Sequence, residues 1–349
     1  MFNRNAKVAV IGAGAVGGVV AVFLTKAGWD VQVAAKQPEI VDRAALPGFH
    51  IFGHKGEAEV RLAAVKDVAE LSGPKDIVFL ATKAGDALAA AREAAPLLSE
   101  GGAIVSLQNG ICEYDLAEAV GRDRVIGAVV AWGATMHGPG MIEVTSPGEF
   151  VIGNLDGPLD ERLQLVQEML FAVQPCRITE NIIGELYAKL IINACINSLG
   201  VIVGLPLGGL LSITRVRYLF MGLIQEMMAV AQAAGIKVER GGGGKLDYYR
   251  FVSGDGWLAR RRRSLIIRLM GSKYPRVKSS SLQSLERGRP TEIDYLNGYV
   301  TRRGRELGVP TPLNDLMVKM VKEIEAGRRG IGRDNLKDEE LVAGLKQSL

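Results

Sequence analysis

The 349-residue sequence predicts an α/β protein in which an N-terminal domain on a mostly parallel sheet is followed by a mainly α-helical C-terminal domain. Three observations predict it. Short β-rich runs alternate with helical stretches through the first half, a glycine-rich loop joins the first strand to the first helix, and beyond about Asp160 strand signals fade while long helical stretches take over. Alternation of this kind builds a parallel sheet with helices covering both faces. The chain is also longer than one core usually organises, and with 48% hydrophobic and 23% charged residues it has enough apolar surface for two. The expected domains are residues 1–180 and 181–349, dividing within residues 179–184.

In chain order, KVAVIG, WDVQVAA, DIVFLAT, AIVSLQ and RVIGAVV read as strands, with residues 15–27 and 86–98 as intervening helices. MIEVTS and EFVIG, within residues 138–153, read as a closing hairpin, and PCRIT as the last strand. Helical stretches follow at residues 183–203, 216–235 and 292–307. Residues 190–211 (LIINACINSLGVIVGLPLGGLL) carry no charge and are long enough to span a bilayer. Their asparagines, glycines and Pro206 favour a buried helix in a soluble domain instead. Gly241–Gly244 reads as a flexible connector. The arginine run at residues 260–263 lacks interleaved aromatics, so it reads as a solvated helix face or subunit contact rather than a nucleic-acid site.

Composition narrows the function classes. A formal charge of +4 and a pI near 8.9 suit an anionic small ligand as well as nucleic acid. Cys112, Cys176 and Cys195 are odd in number and spaced for neither disulfides nor zinc, which points to a reducing cytoplasm. No export signal precedes the glycine-rich loop. His50, His54 and His137 form no ligand pattern, so no metal is expected.

The loop has the pattern GxGxxG at Gly12, Gly14 and Gly17, with Ala13, Ala15 and Val16 between, placed after KVAVI and opening the helix AVGGVVAVFLTKAG. That context identifies a Rossmann-type dinucleotide site over residues 7–36. Gly12 permits the tight turn, Gly14 lets backbone approach the pyrophosphate, and Gly17 lets the helix pack close to the strand. The phosphates meet N–H groups at the positive end of the helix. NAD-preferring domains place a carboxylate at the end of the second strand, whereas here that strand ends Ala34, Ala35, Lys36. A 2′-phosphate meets no repulsion there and Lys36 can pair with it, so NADP(H) is favoured, although Lys36 also reads as an ordinary exposed loop lysine.

In the second domain, GELYAKLIINACINSLG places Lys189, Asn193 and Asn197 at successive i, i+4 positions on one helix face. Polar groups in so apolar a helix either satisfy one another or line a cleft for a polar substrate. Further on, SSSLQSLERGRPTEIDYLNG supplies Ser280, Glu292 and Asp294, where helix capping by Thr291 with acids in the first turn is the purely structural reading.

These motifs together resemble the ketopantoate reductase family, of the 6-phosphogluconate-dehydrogenase-like type. The resemblance runs over nearly the whole chain through GAGAVGG, ATKA around Lys83, QNG at Gln108, Asn109 and Gly110, ELYAKLIINACIN, and GRPTEIDYLNG. It implies Lys189 as general acid and Glu292 as the active-site glutamate, also beside the cofactor. It further implies Asn193, Asn197, Ser280 and Asn109 as substrate-binding residues, with Lys83 and Asn109 at the nicotinamide end. The expected reaction is NADPH-dependent reduction of a 2-keto acid, 2-dehydropantoate first among them. A nearby cation that can donate a proton meets the charge developing on the carbonyl oxygen. Other readings on the same scaffold are a dehydrogenase of another 2-keto acid, a 3-hydroxy acid or an opine, and a non-catalytic NADPH-binding sensor. The expected partners are a small-molecule keto acid and a second copy in a homodimer, with neither nucleic acid nor membrane. Leu207 and Val277 stand where the family often has asparagine, and residues 241–277 look longer than in compact members.

Overall fold

The computed structural model describes residues 5–156, 158–254 and 256–347. These form two compact units, residues 1–186 and 187–349.

The first unit holds twelve strands: β1 (Lys7–Ile11), β2 (Asp30–Ala34), β3 (Phe49–Gly53), β4 (Ala58–Val60), β5 (Ala63–Val65), β6 (Lys75–Leu80), β7 (Leu98–Ser106), β8 (Val125–Val130), β9 (Gly133–Gly138), β10 (Met141–Ser146), β11 (Phe150–Asn154) and β12 (Cys176–Ile178). Eight of them make the main sheet in the order β12-β11-β8-β7-β6-β1-β2-β5. From β8 to β5 all neighbours are parallel. The central strands are apolar on both faces, as β1 and β6 illustrate, because helices cover the sheet on each side. Five helices connect these strands: α1 (Ala15–Lys26), α2 (Pro38–Ala45), α3 (Ala84–Ala94), α4 (Glu113–Val120) and α5 (Glu161–Phe171).

A second sheet, β4-β3-β10-β9, was not foreseen, and it replaces the expected hairpin of MIEVTS with EFVIG. MIEVTS (β10) pairs antiparallel with β9 and parallel with β3, whereas EFVIG (β11) returns to the main sheet antiparallel to β8. Pro147 and Gly148 separate the two strands, and a Cβ on Gly148 would collide with the Ala131 carbonyl, so only glycine lets the chain cross the end of β8 there. The second sheet packs on α1 through Phe49 and Ile142, and a Cβ on Gly18 would strike both. This explains why α1 is apolar all round, with residues 17–24 buried between two sheets.

Helix α6 (Ile182–Val203) runs from one unit into the next. It is long and apolar enough to cross a membrane, but 78% of its apolar window is buried inside the protein. The single helix expected over residues 190–211 is in fact two. Gly204 takes φ +72° and Pro206 precedes α7 (Leu207–Ser212), so the backbone turns where proline cannot continue the α6 hydrogen-bond ladder. The second unit is otherwise helical, with α8 (Thr214–Ala233) at its centre and Trp257–Ser272, Ser280–Glu286, Asn297–Leu307 and Pro312–Glu325 among its later helices.

Buried polar groups tie these helices together. Glu226 of α8 accepts the backbone N–H groups of Leu313 and Asn314 at 2.8 and 3.0 Å and the Asn314 amide at 2.8 Å, capping the helix Pro312–Glu325. Burial pushes the Glu226 carboxyl above its ordinary range, against the lowering effect of those three bonds. Tyr187 and Tyr248 donate their buried hydroxyls to the carbonyls of Met227 and Ala188. All three cysteines are buried and none is in a disulfide, and burial pushes the Cys176 thiol up to about 12 and the Cys195 thiol well above the usual value. Both therefore remain neutral thiols.

Two further expectations need correction. The arginine run is not uniformly solvated: Arg263 is 3% exposed and its guanidinium donates to the carbonyls of Val252 and Ser253, capping the helix Tyr248–Val252. The stretch 292–307 is not one helix. Ile293–Tyr295 form a 3₁₀ turn, Leu296 leaves helical geometry, and the α-helix begins at Asn297. Glu292 therefore sits at the cap of the turn, while Thr291 accepts the Ile293 N–H at 3.2 Å and donates to Glu325 at 2.7 Å.

Candidate functional site

In the first unit the glycine loop is shaped by backbone contacts. Gly12 takes φ +96°, its N–H donates to the Ala34 carbonyl at 2.9 Å, and a Cβ there would lie 2.7 Å from the Thr82 nitrogen. At Gly17 a Cβ would collide with the Gly12 carbonyl. Gly14 is different: a Cβ on it meets nothing within 4 Å, so the space above the start of α1 is open. No side chain caps α1 and no acidic residue lies in its first turn. Its first N–H groups therefore face an open, positive cradle suited to a diphosphate.

The ends of neighbouring parallel strands complete this surface, in keeping with ligand binding at the carboxyl ends of such sheets. The Thr82 hydroxyl, next to the Gly12 turn, is buried without a hydrogen-bond partner among the described residues. The open cradle and this orphaned donor fit a dinucleotide. Lys83 is exposed at the N-cap position of α3, and Asn109 is half-buried after β7. Gln108 holds these two loops in place, a role that sequence reasoning missed although it named the QNG motif. Its amide donates to the Leu80 carbonyl at 2.9 Å and accepts from Ser106 at 2.8 Å. Lys36 is exposed just past β2. The Ala35 N–H donates to the Val65 carbonyl, which continues the Ala34–Val65 register of β2 and β5 and sets the exposed Lys66 beside Ala35.

In the second unit, α6 carries Lys189 and Asn193 half-buried and Asn197 at 5% exposure. Asn197 is joined to Ser280: its Oδ1 accepts the Ser280 hydroxyl at 3.0 Å and the Ser281 N–H at 2.8 Å. Its Nδ2 donates to the Asn193 carbonyl at 2.9 Å. The structure thus joins Asn197 to Ser280, with Asn193 and Lys189 one and two turns before Asn197 on α6. Glu292 is half-buried in the same unit. Leu207 and Val277 are also brought together, for the Leu207 N–H donates to the Val277 carbonyl at 2.8 Å. Leu207 is 8% exposed and Val277 48%. Among the described residues no cluster of metal-ligating side chains occurs.

A phosphate cradle on a parallel sheet, in a chain whose helical unit carries a lysine and two asparagines on one helix face, defines a nicotinamide-dependent oxidoreductase. The family model described as "Ketopantoate reductase PanE/ApbA" matches residues 8–157, and "Ketopantoate reductase PanE/ApbA C terminal" matches residues 181–325. The chain belongs to the ketopantoate reductase family and is an oxidoreductase acting on CH–OH groups. It is 28% identical to the 2-dehydropantoate 2-reductase of Mesorhizobium japonicum over 347 residues, 92% of this chain and 98% of that one. Among solved structures, a PanE/ApbA family ketopantoate reductase from Ralstonia eutropha superposes with a TM-score of 0.78 at 31% identity, covering 93% of this chain and all of that one. D-mandelate dehydrogenase, solved with NADH and anilino(oxo)acetate, shares the fold with a TM-score of 0.77 at 22% identity, covering 92% of this chain and 99% of that one.

Proposed function

We propose that this protein reduces 2-dehydropantoate to pantoate with NADPH, Lys189 giving the proton. The observation that carries the reading is the polar face of α6, where Lys189, Asn193 and Asn197 share one face of a mostly apolar helix and Asn197 reaches Ser280. The nicotinamide, when bound, supplies the hydride. Lys189 stabilises the charge growing on the carbonyl oxygen and donates the proton that completes the alcohol. Asn193 and Ser280 orient the substrate, Glu292 orients Lys189 or a substrate hydroxyl, and Lys83 and Asn109 hold the nicotinamide end. Gly12, Ala13, Gly14, Ala15, Val16 and Gly17 supply the phosphate cradle. Exposed Lys36, with no carboxylate at the end of β2, supports NADP over NAD, because a 2′-phosphate gains a cation where a carboxylate would repel it. We place the reaction in the reducing cytoplasm, where cysteines outside disulfides persist. Exposed Leu258, Leu265 and Leu269, on the helix Trp257–Ser272, support a homodimer.

The test is nicotinamide absorbance with a panel of 2-keto acids and each of NADPH and NADH. Turnover of 2-dehydropantoate with NADPH is expected, and oxidation with no member of the panel would overturn the reading. A second reading, reduction of a more apolar 2-keto acid, is favoured by the adjacent apolar pair Leu207 and Val277.

A further inference from the structure

We infer that Glu325 is a positioning residue for Glu292: its carboxylate ties down Thr291 and so fixes the backbone from which Glu292 projects. This rests on the reading of Glu292 as an active-site residue and adds the group that holds it in place. Arg287, Gly288, Arg289 and Pro290 are exposed, so the chain reaches Thr291 from solvent. Order begins at Thr291. Its N–H and its hydroxyl both donate to one oxygen of Glu325, Oε1, each at 2.7 Å. With its single proton given to the carboxylate, the Thr291 hydroxyl turns a lone pair on the Ile293 N–H at 3.2 Å. That bond opens the 3₁₀ turn Ile293–Tyr295, and the Tyr295 N–H closes on the Glu292 carbonyl at 3.0 Å. Glu292 therefore stands between a residue held by Glu325 and Ile293, which is buried in the core.

The helix Pro312–Glu325 holds this segment at three points. Glu325 takes Thr291, Lys322 pairs with Asp294, and Asn314 accepts the Asn297 amide at 2.9 Å. Asn314 and Glu325 are about three turns apart on one helix face, and their contacts fall on every third residue of the segment. The Asn314 end is itself fixed, because its Nδ2 donates to Glu226 at 2.8 Å and so turns its oxygen toward Asn297. That end stays tied whatever happens at Glu325. Glu325 governs the end next to Glu292, and with its side chain 16% exposed, water competes little for its carboxylate.

The experiment measures kcat for 2-dehydropantoate and NADPH in Glu325→Ala, Glu325→Gln, Thr291→Val and Thr291→Ser, with Glu325→Ala also made in a Glu292→Ala background. Glu325→Ala and Thr291→Val should each lower kcat by about tenfold, since misplacing a catalytic contact by about 1 Å costs up to about a hundredfold. Glu325→Gln keeps the acceptor oxygen and Thr291→Ser keeps the hydroxyl, so both should retain kcat. In the Glu292→Ala background, Glu325→Ala should cause no further loss, because the group it positions is gone. A merely structural role would lower kcat by the same factor in both backgrounds, and that result overturns the inference. Wild-type kcat in Glu325→Ala overturns it as well, as does a Glu325→Gln as slow as Glu325→Ala. These outcomes leave the reductase reading standing. Full activity in Glu292→Ala ends both the inference and the role of Glu292, and no turnover of any keto acid ends the reductase reading itself. Thermal midpoints accompany each variant, and if Glu325→Ala fails to fold, the contrast of Thr291→Val with Thr291→Ser decides.

Discussion

The two units build their sites from different material. In the first, the proposed cradle is backbone: Gly12, Gly14 and Gly17 act by what they lack, and the N–H groups of α1 are left uncapped by any side chain. In the second, the proposed site is side chains from distant segments, and Asn197 and Ser280 are 83 residues apart. A backbone site is therefore sensitive to one added methyl group and tolerant of side-chain exchange around it. A side-chain site has the opposite sensitivities, and substitutions in each unit set the two against each other.

The largest effect is expected from Lys189→Ala, which should lower kcat by about 10²- to 10⁴-fold, the usual contribution of a general acid, while leaving cofactor affinity in place. Stopped-flow and cofactor-titration measurements on one preparation check this, and full activity in the variant would remove Lys189 from the mechanism. Next comes Glu226→Ala, which leaves the Leu313 and Asn314 donors buried without an acceptor and should cost about 3 kcal/mol in denaturant unfolding.

Glu226 also predicts a pH dependence. Burial raises its folded pKa above the unfolded value, so the native state holds the proton more tightly. The stability it contributes is fully present below the unfolded carboxylate pKa of about 4.3 and is lost as pH rises through the raised folded value. The stability of wild type relative to Glu226→Gln should accordingly fall as pH rises through that window, and a difference that grows with pH would contradict the assignment.

Smaller effects belong to the first unit. Gly14→Ala has open space and an ordinary φ of −72°, so thermal stability should hold while the methyl group occupies phosphate space and weakens dinucleotide binding by about tenfold, or 1.4 kcal/mol. Calorimetric titration reads this directly. The smallest effect is that of Lys36→Ala, expected to raise KM for NADPH by about fivefold through loss of an exposed charge-assisted bond, with KM for NADH unmoved. Equal shifts for both cofactors would deny the lysine a role in selecting the 2′-phosphate.

The same contrast decides what could be read before any coordinates. The glycine loop and the strands KVAVI, DIVFL and VIGAVV carry their structure locally, in a motif and in continuous apolar runs, and were legible. The second sheet was not. FHIFG and GATMHG mix glycine and histidine with apolar residues, because one face lies on α1 while the other carries His50, Phe52 and His137 toward solvent. MIEVTS was recognised as a strand but given the wrong partner, since nothing local states that Pro147 and Gly148 end one sheet and begin the return to another. In the helical unit, periodicity placed Lys189, Asn193 and Asn197 on one face. The hydrogen-bonded link of Asn197 to Ser280, and the proximity of Leu207 to Val277, depend on packing across long sequence separations.

Helix α1 touches the phosphate cradle at one end and supports the second sheet along its flank. All three histidines of the protein lie on or beside that sheet, His50 and His137 flanking the Phe52 ring and His54 bonded through its N–H to the Val144 carbonyl. The molecule thus carries a native spectroscopic probe. With so few imidazoles, each gives a resolvable proton resonance, and ring currents from Phe52 make two of them responsive to small displacements of the sheet. Cofactor occupancy could be followed in solution without a label.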